Sequence, residues 1–319
     1  MTAQLPEAFI NRLREIFPQA QFDELIRSFL QTKAVSFRVN TLKTNKAEVV
    51  SALEKMKIDA HDVAGFPDTF EISAQNKPQL TSSELFLSGD IYIQNLSSML
   101  PPLILNPKPT DRVLDISSAP GSKTTQLAAI MQNQGWISAV EINKPRFYKL
   151  LDNIKQQGAT NVHTYLMDGA TVWQKCPEQF DKILVDAPCS SESRISALNP
   201  DSYAYWSEKK IQEMVKKQKR LLFSAVLSLK PGGELLYSTC SFAPEENEMA
   251  ISKLMKKFSH ALEIVPFELA INNWEPGRTK WRKKNLHPDV VHSKRILPTD
   301  SMDGFYLCKL RKTSSTLQK

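Results

Sequence analysis

The chain holds few cysteines, and their spacing excludes two kinds of cross-linked fold. Four occur among 319 residues, at Cys176, Cys189, Cys240 and Cys308. They are too few and too scattered for a disulfide framework, and none forms the Cys-x-x-Cys pair typical of zinc sites, so no metal is expected. This cysteine content suits a reducing compartment, which predicts a cytoplasmic location.

Long apolar runs and targeting signals are missing as well. No run approaches the ~20 apolar residues of a membrane helix, and residues 1–7 lack the basic region and apolar core of a signal peptide. No membrane association is therefore expected. The composition, 41% hydrophobic and 24% charged, is that of a globular protein. A length of 319 residues predicts one large domain and a smaller one, and we expect a monomer.

The first third of the chain predicts helices followed by a small α/β domain. Apolar residues at helical spacing give an N-terminal helical segment over residues 1–30. A β-α-β-β pattern then predicts a small domain over residues 31–97, with Thr44 or Asn45 as the cap of its helix. Arg38 and Asn40 either touch RNA or belong to a solvated strand face. The predicted strands are residues 35–40, 69–72, 85–87 and 90–93.

A regular alternation of strands and helices follows and predicts a doubly wound parallel sheet over residues 98–312. A proline cluster, Pro101, Pro102, Pro107 and Pro109, indicates the junction before it. The clearest helix covers residues 207–229 and ends at residues 231–233. Pro244 and the acids after it predict another helix start. Residues 304–310 predict an edge strand, and residues 313–319 a frayed tail. The other predicted strands are residues 136–140, 162–166, 182–185 and 234–237.

The most informative stretch is a strand, a tight turn and a helix over residues 112–131. This arrangement is typical of the first crossover of a nucleotide-binding sheet. Its turn has one glycine, Gly121, whereas NAD sites use three, and the phosphate-loop pattern is not met. Glu141 follows at the end of the next strand, where an acid binds ribose hydroxyls, unless it is a surface glutamate. A ligand with ribose and adenine but no phosphate fits, and S-adenosyl-L-methionine is the common one.

Two further acids are expected at the same edge of the sheet. Asp168 ends the third strand and Asp186 the fourth, where such ligands bind, although each could instead cap a helix or turn. Two cysteines also stand just beyond strand ends, at Cys189 and Cys240. A lone cysteine beside a sheet is usually inert filler. Two of them facing a methyl donor indicate covalent catalysis.

The chemistry that needs a thiol beside a sulfonium is methylation of carbon 5 of cytosine. A thiolate that adds to carbon 6 makes carbon 5 nucleophilic, and its expulsion completes the cycle. Addition places negative charge on a ring nitrogen, and Asp186 is placed to contact that nitrogen and the exocyclic amine. Cys176 and Cys308 have no predicted role.

These residues make the chain resemble the RsmB/Nop/Sun family of RNA cytosine-5 methyltransferases. The resemblance implies a class I methyltransferase (Rossmann-like) fold preceded by a small RNA-recognition-like domain. It implies that Cys240 is the nucleophile and that Cys189 helps to release the product. Donor contacts are implied at Ser117, Ser118, Ala119, Pro120, Gly121, Ser122, Lys123, Glu141, Asp168 and Asp186. The matching segments are residues 36–43, 92–98, 114–124, 185–190, 237–241, 245–248 and 303–305.

One departure from the family pattern concerns the loop after Cys189. Ser191 and Ser193 replace two glycines, so the loop must take another path if either position needs a positive φ. The loop lies over the target base, so base choice or rate is affected. This motivates the rival hypothesis of a non-catalytic RNA-binding or ribosome-assembly factor. A DNA enzyme that uses Cys189 as its nucleophile is a third option.

The expected partner is structured RNA, with rRNA favoured over tRNA. A net charge of +7 agrees with a polyanionic partner. A basic stretch near the C-terminus either grips the RNA backbone or is a solvated loop. Its members are Arg278, Lys280, Arg282, Lys283, Lys284, Lys294 and Arg295. A second set lies on the helix over residues 207–229 and is interpreted mainly as a solvated face. That set comprises Lys209, Lys210, Lys216, Lys217, Lys219 and Arg220.

Overall fold

The N-terminal helices pack on the part of the chain that carries Cys240. The computed structural model describes residues 5–317, and it places helices α1 at Glu7–Ile16 and α2 at Gln19–Leu30. A proline precedes each helix, where its fixed φ suits the start of a helix. The rings of Phe17 and Phe29 lie against Phe242, two residues after Cys240. Residues 1–4 of the predicted helical segment lie outside the described part.

The small sheet is antiparallel, with strand order β2-β3-β1-β4. Its helix starts at Asn45, whose side chain accepts a hydrogen bond from the backbone N–H of Glu48 at 3.1 Å. The strand predicted at residues 85–87 is wrong, because these residues form a helical turn. Three apolar residues are too few for periodicity to distinguish the two structures. The elements are β1 (Val35–Val39), α3 (Lys46–Lys55), β2 (Ala60–Asp62), β3 (Thr69–Ile72), α4 (Lys77–Thr81), α5 (Glu84–Leu87) and β4 (Ile91–Ile93).

Arg38 and Asn40 have internal structural roles, which corrects both interpretations of them. Arg38 is 5% exposed and donates to the hydroxyl of Thr125 at 2.8 Å, across to the larger sheet's first helix. Asn40 is 1% exposed and donates to the carbonyls of Gly89 and Gln157. Neither side chain is available to RNA or part of a solvated face. Together they fasten the small sheet to the rest of the molecule.

Pro101 and Pro102 lie inside helix α6 (Leu96–Leu105), so this part of the proline cluster is not a junction between elements. A proline removes the N–H that would bond the carbonyl four residues earlier. The carbonyl of Ser98, which Pro102 cannot engage, accepts from Nε2 of Gln94 at 2.9 Å. A buried side chain thus supplies a donor that the helix backbone lacks.

Among the described residues, the large sheet has nine strands, and it confirms the predicted α/β, class I methyltransferase (Rossmann-like) doubly wound fold. Five strands are parallel in the order β7-β6-β5-β8-β9, and the order reverses between β5 and β8. Ligands bind at such a reversal, outside the carboxyl ends of the strands. The parallel strands are β5 (Arg112–Asp115), β6 (Trp136–Glu141), β7 (Val162–Leu166), β8 (Phe180–Asp186) and β9 (Leu229–Thr239). The helices are α7 (Ser122–Ile130), α8 (Lys144–Gln157), α9 (Glu208–Ser228) and α10 (Glu248–Lys257).

The last long strand, predicted as an edge strand, is internal. β15 (Phe305–Lys312) pairs with β9 on one side and with two short strands on the other. Both faces of β15 are covered, and the side chains of residues 305–308 are all buried. The remaining strands are β10 (Leu262–Ile264), β11 (Trp274–Pro276), β12 (Lys280–Trp281), β13 (Lys284–Asn285) and β14 (Lys294–Ile296). Within residues 5–317, no helix is both long enough and apolar enough to span a bilayer.

The predicted frayed tail is attached to the domain as far as Thr316. Lys312 is buried and its ammonium pairs with Glu178 at 2.7 Å, while the backbone N–H of Thr316 donates to the same carboxylate at 2.8 Å. Residues 318 and 319 lie outside the described part of the chain.

Residues 231–233, predicted to turn from helix to strand, form a bulge within β9 instead, where Gly232 has φ +83°.

Two predictions about the C-terminal region are also corrected. Helix α10 begins at Glu248, so Pro244 and Glu246 precede it in a turn. Arg295 of the predicted RNA-gripping set is buried and forms a bidentate pair with Glu248, at 2.5 and 2.6 Å. Lys294 is also buried, with its ammonium over the ring of Trp274. The exposed members of the set are Lys280, Arg282, Lys283 and Lys284.

We expect Glu248→Ala to lower the free energy of unfolding by about 3–5 kcal/mol, because it leaves the Arg295 guanidinium buried without a counter-charge. Urea denaturation followed by circular dichroism measures this. Glu213→Ala is the control, since Glu213 pairs with Lys210 and Lys217 on an exposed helix face, and it should leave the midpoint nearly unchanged. Equal effects of the two substitutions would contradict this account of Arg295.

Candidate active site

A cavity of about 610 Å³ opens at the carboxyl edge of the large sheet, beside the reversal between β5 and β8. It brings together the turn after β5, the loop after β8 and the end of β9, with residues of β4 and α6 on the far wall. Most residues proposed from the sequence line it. Those residues are Ser117, Ser118, Ala119, Pro120, Ser122, Lys123, Asp186, Cys189 and Cys240.

The turn after β5 is fixed by backbone geometry and hydrogen bonds. Gly121 immediately precedes α7 with φ +106°, which L side chains rarely adopt, and an added Cβ would lie 3.0 Å from Leu150. Ser118 donates its N–H and hydroxyl to the carbonyl of Val140, at 2.9 and 3.0 Å. This ties the turn to the neighbouring strand β6. The single glycine is required by the backbone path at that position.

Lys123 and Asp186 form an ion pair at the centre of the site. The ammonium of Lys123 donates to Oδ2 of Asp186 at 2.7 Å and to the hydroxyl of Ser98 at 2.6 Å. The other oxygen of Asp186 accepts from the hydroxyl of Ser238 at 2.8 Å. Lys123 is 5% exposed. The pair therefore joins α7, β8, β9 and α6 and holds the Asp186 carboxylate in one orientation.

Two buried acids have an oxygen without a hydrogen-bond partner among the described residues. One is Oε2 of Glu141, 3.5 Å from a guanidinium nitrogen of Arg146, and the other is Oδ1 of Asp115. Burial raises the pKa of Asp115 to about 7, and the charge of Asp186 adds to this. Asp115 lines the cavity, whereas Glu141 lies just outside its lining. Unpartnered oxygens beside the turn fit a ligand that carries hydroxyl or amino donors.

Asp168 is not brought into the cavity. Its Oδ1 accepts from the backbone N–H of Ala170 at 2.9 Å, as the N-cap of a 3-10 helix over Gly169–Gln174. Its Oδ2 pairs with Arg220 of α9 at 2.8 Å. Of the two interpretations of Asp168, the cap is the one that the structure describes. Asp186 lines the cavity as predicted for a site residue.

The two cysteines meet across the cavity, with their Sγ atoms 3.3 Å apart. Cys189 follows β8 and Cys240 follows β9, and both are half-buried. The hydrogen bond from Cys189, with help from Arg194 and the Ser191 hydroxyl, lowers the pKa of Cys240 to about 7 against the opposing effect of burial. The same hydrogen bond, with burial, raises the pKa of Cys189 well above its usual range. The thiol of Cys240 is thus the more acidic of the two, and that of Cys189 keeps its proton.

The loop that departs from the family pattern keeps the glycine-like path. Ser191 has φ +57°, in the left-handed region that a glycine would occupy without strain. Ser193 donates its N–H and hydroxyl to the carbonyl of Cys240, at 3.1 and 2.9 Å. Between them, the fully buried Glu192 accepts from the N–H of Phe242 at 2.9 Å. The serines therefore connect the two cysteine loops.

Several residues around the cysteines were not predicted from the sequence. Arg194 lines the cavity near both thiols, and Asn95 and Phe305 form part of the opposite wall. Glu246, predicted only as part of a helix start, is buried behind the two cysteine loops. The proximity of Arg194 to Cys189 in the sequence was a usable signal. Nothing local in the sequence distinguishes Glu246 from its neighbour Glu245.

Family models match almost the whole chain. One described as 16S rRNA methyltransferase RsmB/F matches residues 102–311, and one described as the N-terminal domain of 16S rRNA methyltransferase RsmF matches residues 5–96. The ribosomal RNA small subunit methyltransferase F of Cronobacter sakazakii is 36% identical over 316 residues, which cover 98% of this chain and 64% of that protein. That of Aliivibrio fischeri is 36% identical over 317 residues, covering 98% and 65%. The chain thus spans 64–65% of the length of these curated relatives.

Solved structures agree with the fold. A methyltransferase homolog protein from Pyrococcus horikoshii has a TM-score of 0.77 at 31% identity, covering 97% of this chain and 100% of that one. A structure described as NSun6 from Pyrococcus horikoshii with SFG has a TM-score of 0.82 at 21% identity, covering 97% and 99%. Because the NSun6 structure is only 21% identical in sequence, its similarity to this chain concerns the fold alone.

We expect the two thiols to differ in their reactivity with pH. Because the thiolate reacts and the thiol does not, alkylation of Cys240 by iodoacetamide should rise with a midpoint near pH 7, the value to which its pKa is lowered. Cys189 should remain slow at pH 8. Peptide mass spectrometry of samples quenched over a pH series measures both, and Cys240→Ser should lose the fast phase. A faster reaction at Cys189 would reverse the assignment.

Proposed function

The chain belongs to the 16S rRNA methyltransferase RsmB/F family, and on that premise we propose that it methylates carbon 5 of a cytidine in small-subunit ribosomal RNA. The observation that carries the proposal is the pair of thiols 3.3 Å apart, in one cavity with Asp186 and the turn of residues 117–123. The printed names of the curated relatives favour ribosomal over transfer RNA.

S-adenosyl-L-methionine supplies an electrophilic methyl group, and the turn after β5 would hold it. Residues 117–123 present backbone and hydroxyl groups, and the unpartnered oxygen of Glu141 suits a ribose hydroxyl. Asp115 can accept from an amino group. Asp168, predicted as a further donor contact, is assigned to its structural cap and its pair with Arg220 instead.

Cys240 acts as the nucleophile on a flipped-out cytosine. A pKa of about 7 gives a substantial thiolate fraction at neutral pH, whereas a thiol of ordinary pKa, about 8.5, would supply only a few per cent. The Sγ of Cys240 bonds to carbon 6, and the displaced electron pair makes carbon 5 nucleophilic. Addition places negative charge on the ring nitrogen, which takes up a proton. The Asp186 carboxylate, held by Lys123 and Ser238, then accepts from that N–H and from the exocyclic amine.

Cys189 assists release of the product. After carbon 5 has taken the methyl group and lost its proton to solvent, the carbon 6–sulfur bond breaks and Cys240 leaves as a thiolate. The thiol of Cys189, which retains its proton because its pKa is raised, donates a hydrogen bond to that leaving sulfur. The net change is one methyl group gained and one proton lost by the cytosine.

RNA is expected to contact exposed basic residues of the C-terminal region. The hairpin of β12 and β13 carries Lys280, Lys283 and Lys284, all of them exposed. We assign residues 31–97 to a small RNA-recognition-like domain and residues 98–312 to the methyltransferase domain. In this proposal the small domain presents the RNA, and the cavity receives one base from it.

We expect Cys240→Ala to abolish methyl transfer from S-adenosyl-L-methionine, and Cys189→Ala to accumulate a covalent protein–RNA adduct stable to denaturing gel electrophoresis. The assay uses 16S rRNA and total tRNA as separate substrates, with Cys176→Ser as the matched control because Cys176 lies outside the cavity. Full activity of Cys240→Ala would refute the nucleophile assignment. No transfer to any RNA by the unaltered protein would favour the non-catalytic RNA-binding factor.

We also expect the triple variant Lys280→Gln, Lys283→Gln, Lys284→Gln to weaken RNA binding and to reduce its salt dependence. If each lysine contacts one phosphate, the slope of log K against log salt concentration becomes shallower by roughly 2–3. The control carries Lys209→Gln, Lys216→Gln and Lys217→Gln, which remove the same charge from the exposed face of α9. Equal slopes for the two variants would argue against the hairpin as the RNA contact.

A further inference from the structure

Glu246 is a buried carboxyl that the chemistry above does not use. It lies in the turn before α10, is 0% exposed, and does not line the cavity. Burial, with the charge of Glu192, raises the pKa of Glu246 to about 7. Placing a carboxyl group in such a site costs stability, and an apolar side chain of similar volume is often at least as stable. Its contacts therefore need an explanation other than stability.

Each cysteine is followed by a serine, and both serines hydrogen-bond to Glu246. Oε1 of Glu246 accepts from the hydroxyl of Ser241 at 2.8 Å and from the hydroxyl of Ser190. Oε2 accepts from the backbone N–H of Ser190 at 3.0 Å and from Nε2 of Gln218 at 2.7 Å. The two serine hydroxyls are themselves 3.0 Å apart. One carboxylate thus binds the residue immediately after each of the two thiols.

Two further hydrogen bonds fix the backbone of Glu246 and the loop that carries Cys189. The hydroxyl of Tyr237 donates to the backbone carbonyl of Glu246 at 2.6 Å, from within β9. Nε2 of Gln218 also donates to the carbonyl of Pro188, the residue before Cys189, at 3.0 Å. The contacts thus run from α9 and β9 through one carboxylate to both cysteine loops.

We propose that Glu246 is a positioning residue that sets the distance between the thiols of Cys189 and Cys240 by binding Ser190 and Ser241 together. The inference rests on the proposed function for its catalytic meaning, but the geometry it concerns does not depend on RNA. Without Glu246, Ser190 and Ser241 lose the carboxylate that they share, while Ser193 and Glu192 still connect the two loops. The loops then have fewer bonds that fix the separation of the thiols, and the hydrogen bond between the thiols weakens. Nucleophile activation and product release would then both suffer.

A glutamine at position 246 can keep the hydrogen bonds of Glu246, whereas an apolar side chain cannot. The partners of Oε2 are a backbone N–H and an amide NH₂, which can only donate, so a glutamine must place its oxygen there. Its NH₂ group then faces the two serine hydroxyls, which can accept as well as donate. Glu246→Gln should therefore preserve the arrangement, whereas Glu246→Leu removes it at nearly constant volume.

Disulfide formation by diamide reports the distance between the thiols without RNA or a methyl donor. Diamide takes one hydrogen from each thiol and becomes the hydrazine, and the sulfurs of Cys189 and Cys240 join. We expect rapid pairing in the unaltered protein, a rate within twofold in Glu246→Gln, and a rate at least tenfold lower in Glu246→Leu. Peptide mass spectrometry identifies the pair, and thermal melting verifies the fold of each variant. Glu245→Gln is the matched control, because Glu245 binds Arg12 and Trp281 and touches neither cysteine loop.

Pairing in a folded Glu246→Leu variant as fast as in the unaltered protein would overturn the proposal. If Glu246→Leu does not fold, the double variant Ser190→Ala, Ser241→Ala removes both hydroxyl contacts with Glu246 and leaves only the backbone N–H of Ser190. An unchanged rate in that variant would overturn the proposal equally. Slow pairing in these variants, together with an unaltered protein that transfers no methyl group, would uphold the positioning role and refute the methylation. In an active enzyme, Glu246→Leu should accumulate the protein–RNA adduct as Cys189→Ala does, and Glu246→Gln should not.

Discussion

The ion pair of Lys123 with Asp186 is the interaction on which the arrangement of the site depends. It joins the helix that follows the donor turn to the strand that leads to Cys189, at the point where the strand order reverses. Ser98 and Ser238 complete the pair from α6 and β9. Because the Lys123 ammonium is buried, the pair is favourable only when such additional groups satisfy its charge. Its geometry holds the Asp186 carboxylate in one orientation between the turn of residues 117–123 and the thiols.

The two thiols illustrate how one contact can give identical groups opposite properties. A single hydrogen bond at 3.3 Å lowers the pKa of Cys240 and raises that of Cys189. The direction of each pKa shift depends on the other groups around the sulfur. Arg194 and Ser191 favour a thiolate on Cys240, and the charge of Glu246 disfavours one on Cys189. The difference in pKa between the two cysteines is thus determined by the loops that carry them.

The sequence was most informative where a local rule applied. The parallel strands, the turn at Gly121 and the thiols beyond β8 and β9 follow from periodicity, backbone sterics and the rule that ligands bind at carboxyl strand ends. The sequence was misleading where the burial of a side chain depends on partners that lie far away along the chain. Arg38 and Arg295 look like RNA contacts in the sequence, yet their partners, Thr125 and Glu248, lie 87 and 47 residues away. The role of Glu246 was hidden for the same reason, since its serines become neighbours only after folding.

The buried contact of Arg38 with helix α7 has a consequence for how a base can enter the site. Arg38 belongs to the central part of the small sheet, and its guanidinium also approaches the carbonyl of Ser122, the first residue of α7, at 3.4 Å. Separating the small sheet from α7 would therefore break a buried contact. Swinging the small sheet away from the turn of residues 117–123 would leave the Arg38 guanidinium without these partners. If the RNA of the proposed function docks without breaking this contact, the nucleic acid supplies the change of shape, and its deformability becomes part of the selection.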